Sequence, residues 1–455
     1  MFFQRIESEG LSHYSYIFGD DTDAIVIDPR VDSHIYAYLA HSKGLRIRYI
    51  LETHRNEDIV VGSRVLSSST NAAIWHADSQ LDYEYGNPVS EGQEWKIGNY
   101  TIKAVATPGH TEGSISYILY DKSGSPWMVF TGDLLFAGEV GRCDLLGEKK
   151  LKEMAGKMYD SIFKKILPLG DGVVICPAHG AGSACGSKII DRKPTTIGME
   201  KSLNKYLKAE NRKQFIDLAS RMIPRPPYFR LMEKYNLSGV LYCNSRLDIM
   251  PLDANDFADA CKECTILDIR EETAFAAAHI PGSLSINSSL VARYAGWFID
   301  YNKKLILVAE PDDAVYITRT LARIGFFEMG GFLSGGILSW HTSGKATESI
   351  GTINVKDFCE LLDGEQLLHI LDVRSDGELE NDGKIPNSQH IPLHEIPQRI
   401  DQIPRQLMVY IFCGSGVRSM VAASFLKQNR LKNLTVVLGG FAGWKSKTCS
   451  IDKGE

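Results

Sequence analysis

The chain has 455 residues, 44% hydrophobic, 23% charged and 9% aromatic, with a formal net charge of −6. That length asks for about two to four domains, and the mildly acidic balance without a long Lys/Arg run argues against nucleic acid or an anionic membrane as the main partner. No stretch approaches the roughly 18 consecutive apolar residues that a membrane span requires.

In chain order, "DAIVIDPR" (23–30), "IRYILETH" (47–54), "AAIWHAD" (72–78), "YTIKAVATPGH" (100–110), "ISYILYD" (115–121), "WMVFTGD" (127–133) and "GVVICPAHG" (172–180) read as strands. Several end in polar, reactive residues, as strands around an α/β active site do. Residues 149–168 and 198–222 read as helices, and the proline-rich "IPRPPYF" (223–229) reads as a boundary segment.

The remainder is a repeat. "TILDIREETAFAAAHIPGSLSI" (265–286) resembles "HILDVRSDGELENDGKIPNSQHIP" (369–392), and "FLSGGILSW" resembles "VVLGGFAGW". Asp268 and Asp372, Gly335 and Gly439, and Trp340 and Trp444 are each 104 residues apart. One offset at three landmarks means two homologous α/β modules. The expected domains are 1–245, 246–349 and 350–455.

Four motifs in the first domain carry chemistry: His54 in "ETHRNED", His110 in "TPGHTEGS", Asp133 in "TGDLLF" and His179 in "CPAHG". A lone histidine at a strand end is more often a structural hydrogen-bonder than a ligand. In this order, and with "GRCD" (Arg142, Asp144), the four resemble the metallo-β-lactamase superfamily, most of all its glyoxalase II and persulfide dioxygenase branch. That implies an αββα sandwich over roughly residues 1–240.

In that superfamily the first turn reads T-H-x-H-x-D-H. Here Asn56 and Ile59 stand where two histidines would be, so a complete two-metal site is not expected. The resemblance leaves His54, His110 and Asp133 as ligands, the two-histidine, one-carboxylate set of non-haem Fe(II) oxygenases. It implies one Fe(II) per chain, with zinc the alternative. Asp58, His179 and Arg142 are expected behind the ligands or at the substrate. Cys185, six residues past His179, is weighed as a persulfide contact against a small packing residue.

"MVYIFCGSGVRS" (408–419) is a strand running into Cys413 and a tight loop that opens a helix. Converging loop N–H groups and a helix N-terminus favour an anion there. Arg418 adds a guanidinium suited to a sulfonate or persulfide, and Gly414, Gly416 and Ser419 belong to the substrate loop. With "LDVR" before it and "LGGFAGW" after it, this segment resembles an active rhodanese domain. At the same offset the earlier module has Ala309 for Cys413 and Ala314 for Arg418, with Asp312 and Asp313 between them. It has no nucleophile and reads as an inactive rhodanese-like module. "CKEC" (261–264) lacks a second cysteine pair and reads as a surface helix.

Over nearly its whole length the chain resembles fused persulfide dioxygenase–rhodanese proteins of bacterial sulfide detoxification. The implied fold is α/β: a metallo-β-lactamase sandwich followed by two rhodanese-like domains. The implied partners are a low-molecular-weight thiol persulfide, O₂ and sulfite or thiosulfate, in a homo-oligomer. Two other readings remain open: a glyoxalase II-like thioester hydrolase with an appended rhodanese, and a sulfur carrier with a metal-free first domain. Nine cysteines at irregular spacings and a start without a secretory signal make a cytoplasmic enzyme the expectation.

Overall fold

In the strand Asp23–Ile27, alternate side chains serve two different cores. Ile25 and Ile27 join one buried cluster, while Ala24 and Val26 join another. The strand Ile115–Tyr120 divides in the same way: Tyr117 and Leu119 face the first cluster and Ile118 a third. A period of two with both faces apolar places each strand inside a stack of layers. The structure is a computed structural model that describes residues 1–182, 189–241, 249–363 and 368–445. It divides into two compact units, Met1–Arg246 with Ala322–Phe327, and Leu247–Leu321 with Glu328–Glu455. The expected division at 245/246 lies outside the described residues.

The first unit is an αββα sandwich. One six-stranded sheet runs in the order Phe2–Ser8, His13–Asp20, Asp23–Ile27, Arg46–Leu51, Ala73–His76 and Asn87–Pro88. The other runs Thr195–Thr196, Val174–Pro177, Pro126–Gly132, Ile115–Tyr120, Tyr100–Ala106 and Glu94–Ile97. Phe18, Leu51, Ile102 and Phe130 meet between the sheets. Outside, the helices His34–Ser42 and Ser63–Thr70 cover the first sheet with Tyr36 and Leu66. The helix Glu148–Ser161 covers the second with Leu151, Met154 and Met158.

Two expected elements differ. The helix expected over 198–222 is two helices, Ile197–Leu203 and Arg212–Ala219. Asn204 leaves the first in extended conformation, and its buried side-chain oxygen accepts from the Tyr206 N–H two residues on. Asn211 caps the second by accepting from the Gln214 N–H. Polar groups that bond the backbone locally end a helix that apolar periodicity alone would continue. The opening hairpin, Phe2–Ser8 with His13–Asp20, was absent from the sequence-based expectation because its second strand is buried throughout and shows no alternation.

The second unit holds two five-stranded parallel sheets of one topology. The earlier runs Pro251–Leu252, Met329–Leu333, Leu305–Val308, Thr265–Asp268 and Leu284–Ser285. The later runs Gly351–Asn354, Leu434–Leu438, Val409–Phe412, His369–Asp372 and Gln389–His390. Trp340 and Trp444 are buried at equivalent places in the two cores. The "LDIR" and "LDVR" motifs are ion pairs: Arg270 closes on Asp268 and Arg374 on Asp372, each at 2.6 Å. Both modules keep that pair, so its role is structural. Among the described residues no helix is long and apolar enough to cross a membrane.

Candidate metal centre and cysteine loop

His54 follows the strand Arg46–Leu51, and Asp133 and His179 follow the parallel-paired strands Pro126–Gly132 and Val174–Pro177. His110 lies in the loop between Tyr100–Ala106 and Ile115–Tyr120. All four are buried. Thr53 aims the first ligand. Its N–H and hydroxyl both donate to Asp28, at 2.8 and 2.7 Å, so its oxygen accepts from His54 Nδ1 at 2.9 Å. His110 Nδ1 donates to the Arg142 carbonyl at 3.0 Å. With both Nδ1 atoms occupied, both Nε2 atoms point inward as donors to a cation. Gly132 is required here: its φ is +53°, and a Cβ would stand 2.6 Å from Thr53 Oγ1.

The three expected ligands converge. Asp133 Oδ2 lies 3.6 Å from His110 Nε2 and 4.0 Å from His54 Nε2, and one ligand atom from each residue falls within 4.8 Å of the others. His54 Nε2 and Asp133 Oδ2 are buried without a hydrogen-bond partner. Buried lone pairs without a partner are costly unless a proton donor or a metal satisfies them. Ligand atoms about 3.4 Å apart suit an ion with bonds of about 2.1 Å, so this group fits a metal.

Asp58 and His179 stand behind it. His179 Nδ1 donates to Asp133 Oδ1 at 2.7 Å, and its Nε2 lies 2.9 Å from Asp58 Oδ2. Arg142 is not free to meet a substrate: it clamps the buried Asp144 at 2.7 and 2.9 Å and the Ile223 carbonyl at 2.7 Å. It acts through the carbonyl that orients His110. Asn56 donates to the His54 carbonyl, and Ile59 is buried. Neither supplies a ligand to a second ion. Cys185 lies outside the described residues.

Two residues were missed in the sequence. Glu57, at an unspecified position of the turn motif, brings its carboxylate 3.2 Å from His110 Nε2. Burial disfavours charge on both groups, yet each stabilises the other: Glu57 is lowered to about 2 and His110 raised to about 9, holding on His110 Nε2 a proton that a metal bound there would displace. Burial also pushes the Asp133 carboxyl up, but His179, His54 and His110 outweigh it and hold it well below the usual carboxylate range. Asn236, in the helix Phe229–Ser238, donates to the Asn56 and Ile59 carbonyls at 2.8 and 2.7 Å and accepts from Val61 N–H at 2.9 Å. It locks the turn, and 180 residues of separation hide it from motif reading. A cavity of about 330 Å³ is lined by His179, Tyr14, Tyr16 and Cys176, but not by His54, His110 or Asp133.

Cys413 ends the strand Val409–Phe412, and its Sγ accepts from the Gly416 N–H at 3.1 Å. The "GGF" turn braces the loop: Gly439 N–H donates to Ser415 O, Phe441 N–H to Cys413 O and Ala442 N–H to Gly414 O, at 2.8 to 3.0 Å. Gly440 has φ +47°, and a Cβ there would stand 2.3 Å from the Cys413 carbonyl. The motif is what holds the loop in shape. Ser419 is buried in the helix Val417–Gln428 that follows. Arg418 differs from its expected role as an open anion site, because its guanidinium closes on both oxygens of Glu378, at 2.7 and 2.6 Å. In the earlier module Ala309 is buried, and Asp312 and Asp313 open the helix Pro311–Arg323. "CKEC" is not the expected helix but a turn after the helix Ala254–Ala260, with Cys261 at its C-cap, and both cysteines are free.

Residues 9–179 match the Metallo-beta-lactamase superfamily, and residues 253–343 and 354–447 each match the Rhodanese-like domain. The chain is a metallo-β-lactamase domain related to the ETHE1 persulfide dioxygenases, followed by two rhodanese-like domains. Persulfide dioxygenase ETHE1, mitochondrial, of Mus musculus is 29% identical over 202 residues, 43% of this chain and 74% of that protein. Hydroxyacylglutathione hydrolase GloC of Haemophilus influenzae is 26% identical over 219 residues, 43% of this chain and 93% of that protein. The crystal structure of a metallo-beta-lactamase from Staphylococcus aureus subsp. aureus COL superposes with a TM-score of 0.65 at 29% identity, covering 73% of this chain and 98% of that one.

Proposed function

We propose that the first domain oxidises a low-molecular-weight thiol persulfide with O₂ and that Cys413 transfers sulfane sulfur to or from thiosulfate. The observation that carries the first half is the buried His54–His110–Asp133 group with two unpartnered donor atoms aimed at one point. Iron(II) held by these three residues would supply O₂ activation and a site for the persulfide sulfur. Thr53 and the Arg142 carbonyl orient the two histidines, and His179 pins the outer oxygen of Asp133. In overall balance, a persulfide, O₂ and water give the thiol, sulfite and two protons.

At the second site the Cys413 thiolate takes the outer sulfur of a donor, and the loop N–H groups and helix N-terminus steady the resulting anion. Sulfite then attacks that outer sulfur, the S–S bond to Cys413 breaks, and thiosulfate leaves. Oxidation yields sulfite and transfer consumes it, which gives a physical reason for one chain to carry both sites.

The hydrolase reading calls for a metal-activated hydroxide, which two-metal members of the fold build with the histidines that are Asn56 and Ile59 here. Ile59 has no donor atom in its side chain, and the Asn56 amide is a weaker ligand than an imidazole. Metal analysis of the full chain purified without oxygen tests the proposal. Near-stoichiometric iron with persulfide-dependent O₂ uptake supports it. Zinc with thioester hydrolysis, or no metal with sulfur transfer alone, replaces it with one of the two rival readings.

A further inference from the structure

Resting on the proposed role of Cys413, we infer that the inactive rhodanese-like module completes the anion site of the active one, with Arg293 binding the oxyanion end of thiosulfate or free sulfite. A cavity of about 500 Å³ opens over the cysteine loop. Ser289, Arg293 and Tyr294 of the earlier module line it together with Ser415, Glu378 and Arg418 of the later one.

The charges within it are unequal. Arg418 and Glu378 neutralise each other through two hydrogen bonds, and Glu378 also accepts from the Ser375 N–H and hydroxyl. The active module therefore contributes no net positive charge to its own cavity. Arg293 is exposed and, among the described residues, has no carboxylate in ion-pair reach; its guanidinium lies 5.5 Å from the Tyr294 ring centroid. An uncommitted guanidinium is the better partner for a sulfur oxyanion. Asp312 and Asp313, which would repel such an anion, do not line the cavity.

The position of Arg293 is fixed by packing. It lies on the helix Val291–Phe298, whose Val291, Ala292, Tyr294 and Ala295 are buried. At the far end, Phe298 packs edge-on against Phe425 at 5.1 Å and Trp297 against His394 at 4.9 Å. Phe425 belongs to the helix that starts at the cysteine loop. These two contacts join the helix that carries Arg293 to the active module, the first of them to the nucleophile's helix. In the step served, the Cys413 thiolate attacks the outer sulfur of thiosulfate. The S–S bond breaks, sulfite departs with the electron pair, and Cys413 keeps the sulfur as a persulfide, with no external oxidant or reductant.

Two readouts on the full chain test this. Calorimetry on the Cys413→Ala protein measures thiosulfate and sulfite binding without turnover; adding Arg293→Ala should weaken both by about ten-fold, the loss of one charge-assisted contact. Arg293→Lys should recover part of that affinity. With Cys413 intact, Arg293→Ala should raise KM for thiosulfate about ten-fold in transfer to cyanide and leave kcat within about two-fold, since the nucleophile is untouched. Equal anion affinity with and without Arg293, or no measurable binding in either protein, overturns the inference. Arg293-dependent binding without any sulfur transfer keeps the anion site and overturns the transferase reading instead.

Discussion

His179 Nδ1 donates to Asp133 Oδ1 at 2.7 Å while Asp133 Oδ2 faces the two histidine tips at 3.6 and 4.0 Å. One carboxylate is thereby split between support and ligation. Asp133→Ala should abolish iron binding, because the anionic donor is lost. His179→Ala should leave the three ligands in place but let Asp133 swing, lowering metal affinity about 10- to 100-fold. Iron content after anaerobic purification and graded dialysis separates the two variants. Equal and complete loss in both would make His179 a ligand in its own right.

Asn236 makes three hydrogen bonds to the turn that carries His54, Glu57 and Asp58. Asn236→Ala would leave two buried carbonyls and one N–H without this partner, a cost of about 3 kcal/mol. Urea denaturation should show the lowered midpoint, and iron content should fall with it. A variant with unchanged stability and metal content would show that the turn holds its shape alone.

These two residues show what could be read beforehand and what could not. His54, His110 and Asp133 were legible through their short motifs, which follow apolar strands and in that order resemble the metal-binding turns of the superfamily; that strands of two different sheets bring them together is shown only by the fold. Cys413 was legible because its loop, its helix and the bracing "GGF" are contiguous or repeat at one offset. Asn236, Glu378 and Arg293 were not legible. Their partners lie 180 residues away, 40 residues away and in the cavity wall of another module, respectively. Glu57 was hidden differently: it sits inside the motif at a place that the family pattern leaves unspecified, so only the geometry shows it against His110. The broken helix at 204–211 escaped notice because the local side-chain bonds of Asn204 and Asn211 leave hydrophobic periodicity unchanged.

Cys413→Ser should eliminate sulfur transfer, because a hydroxyl forms no transferable persulfide and is a far weaker acid than a thiol. Iron content and persulfide-dependent O₂ uptake should persist, since His54, His110 and Asp133 belong to the other unit. The product should shift from thiosulfate to free sulfite, measured by thiol-reactive derivatisation and chromatography. Undiminished thiosulfate would mean that another residue carries the sulfur, and Cys185 would be the first to replace.

The Arg418–Glu378 pair gives a pH-dependent prediction. Burial pushes the Glu378 carboxyl up, but Arg418, the Ser375 N–H and the Ser375 hydroxyl outweigh it and lower the group to about 2. A carboxylate depressed on folding contributes stability that is fully present above its unfolded value, near 4.5. The contribution declines as pH falls from there towards 2. Glu378→Gln removes the charge and hence that contribution. The Tm of wild type should therefore exceed that of Glu378→Gln by a constant margin from about pH 7 to 5, and the gap should narrow between about pH 4.5 and 3. The pair is partly exposed, with 32% of the Glu378 side chain open to solvent, so added salt should also shrink the margin. The same substitution frees Arg418, and sulfite should then bind more tightly at neutral pH. A margin that widens on acidification, or sulfite affinity that falls in Glu378→Gln, would mean that Glu378 does something other than neutralise Arg418.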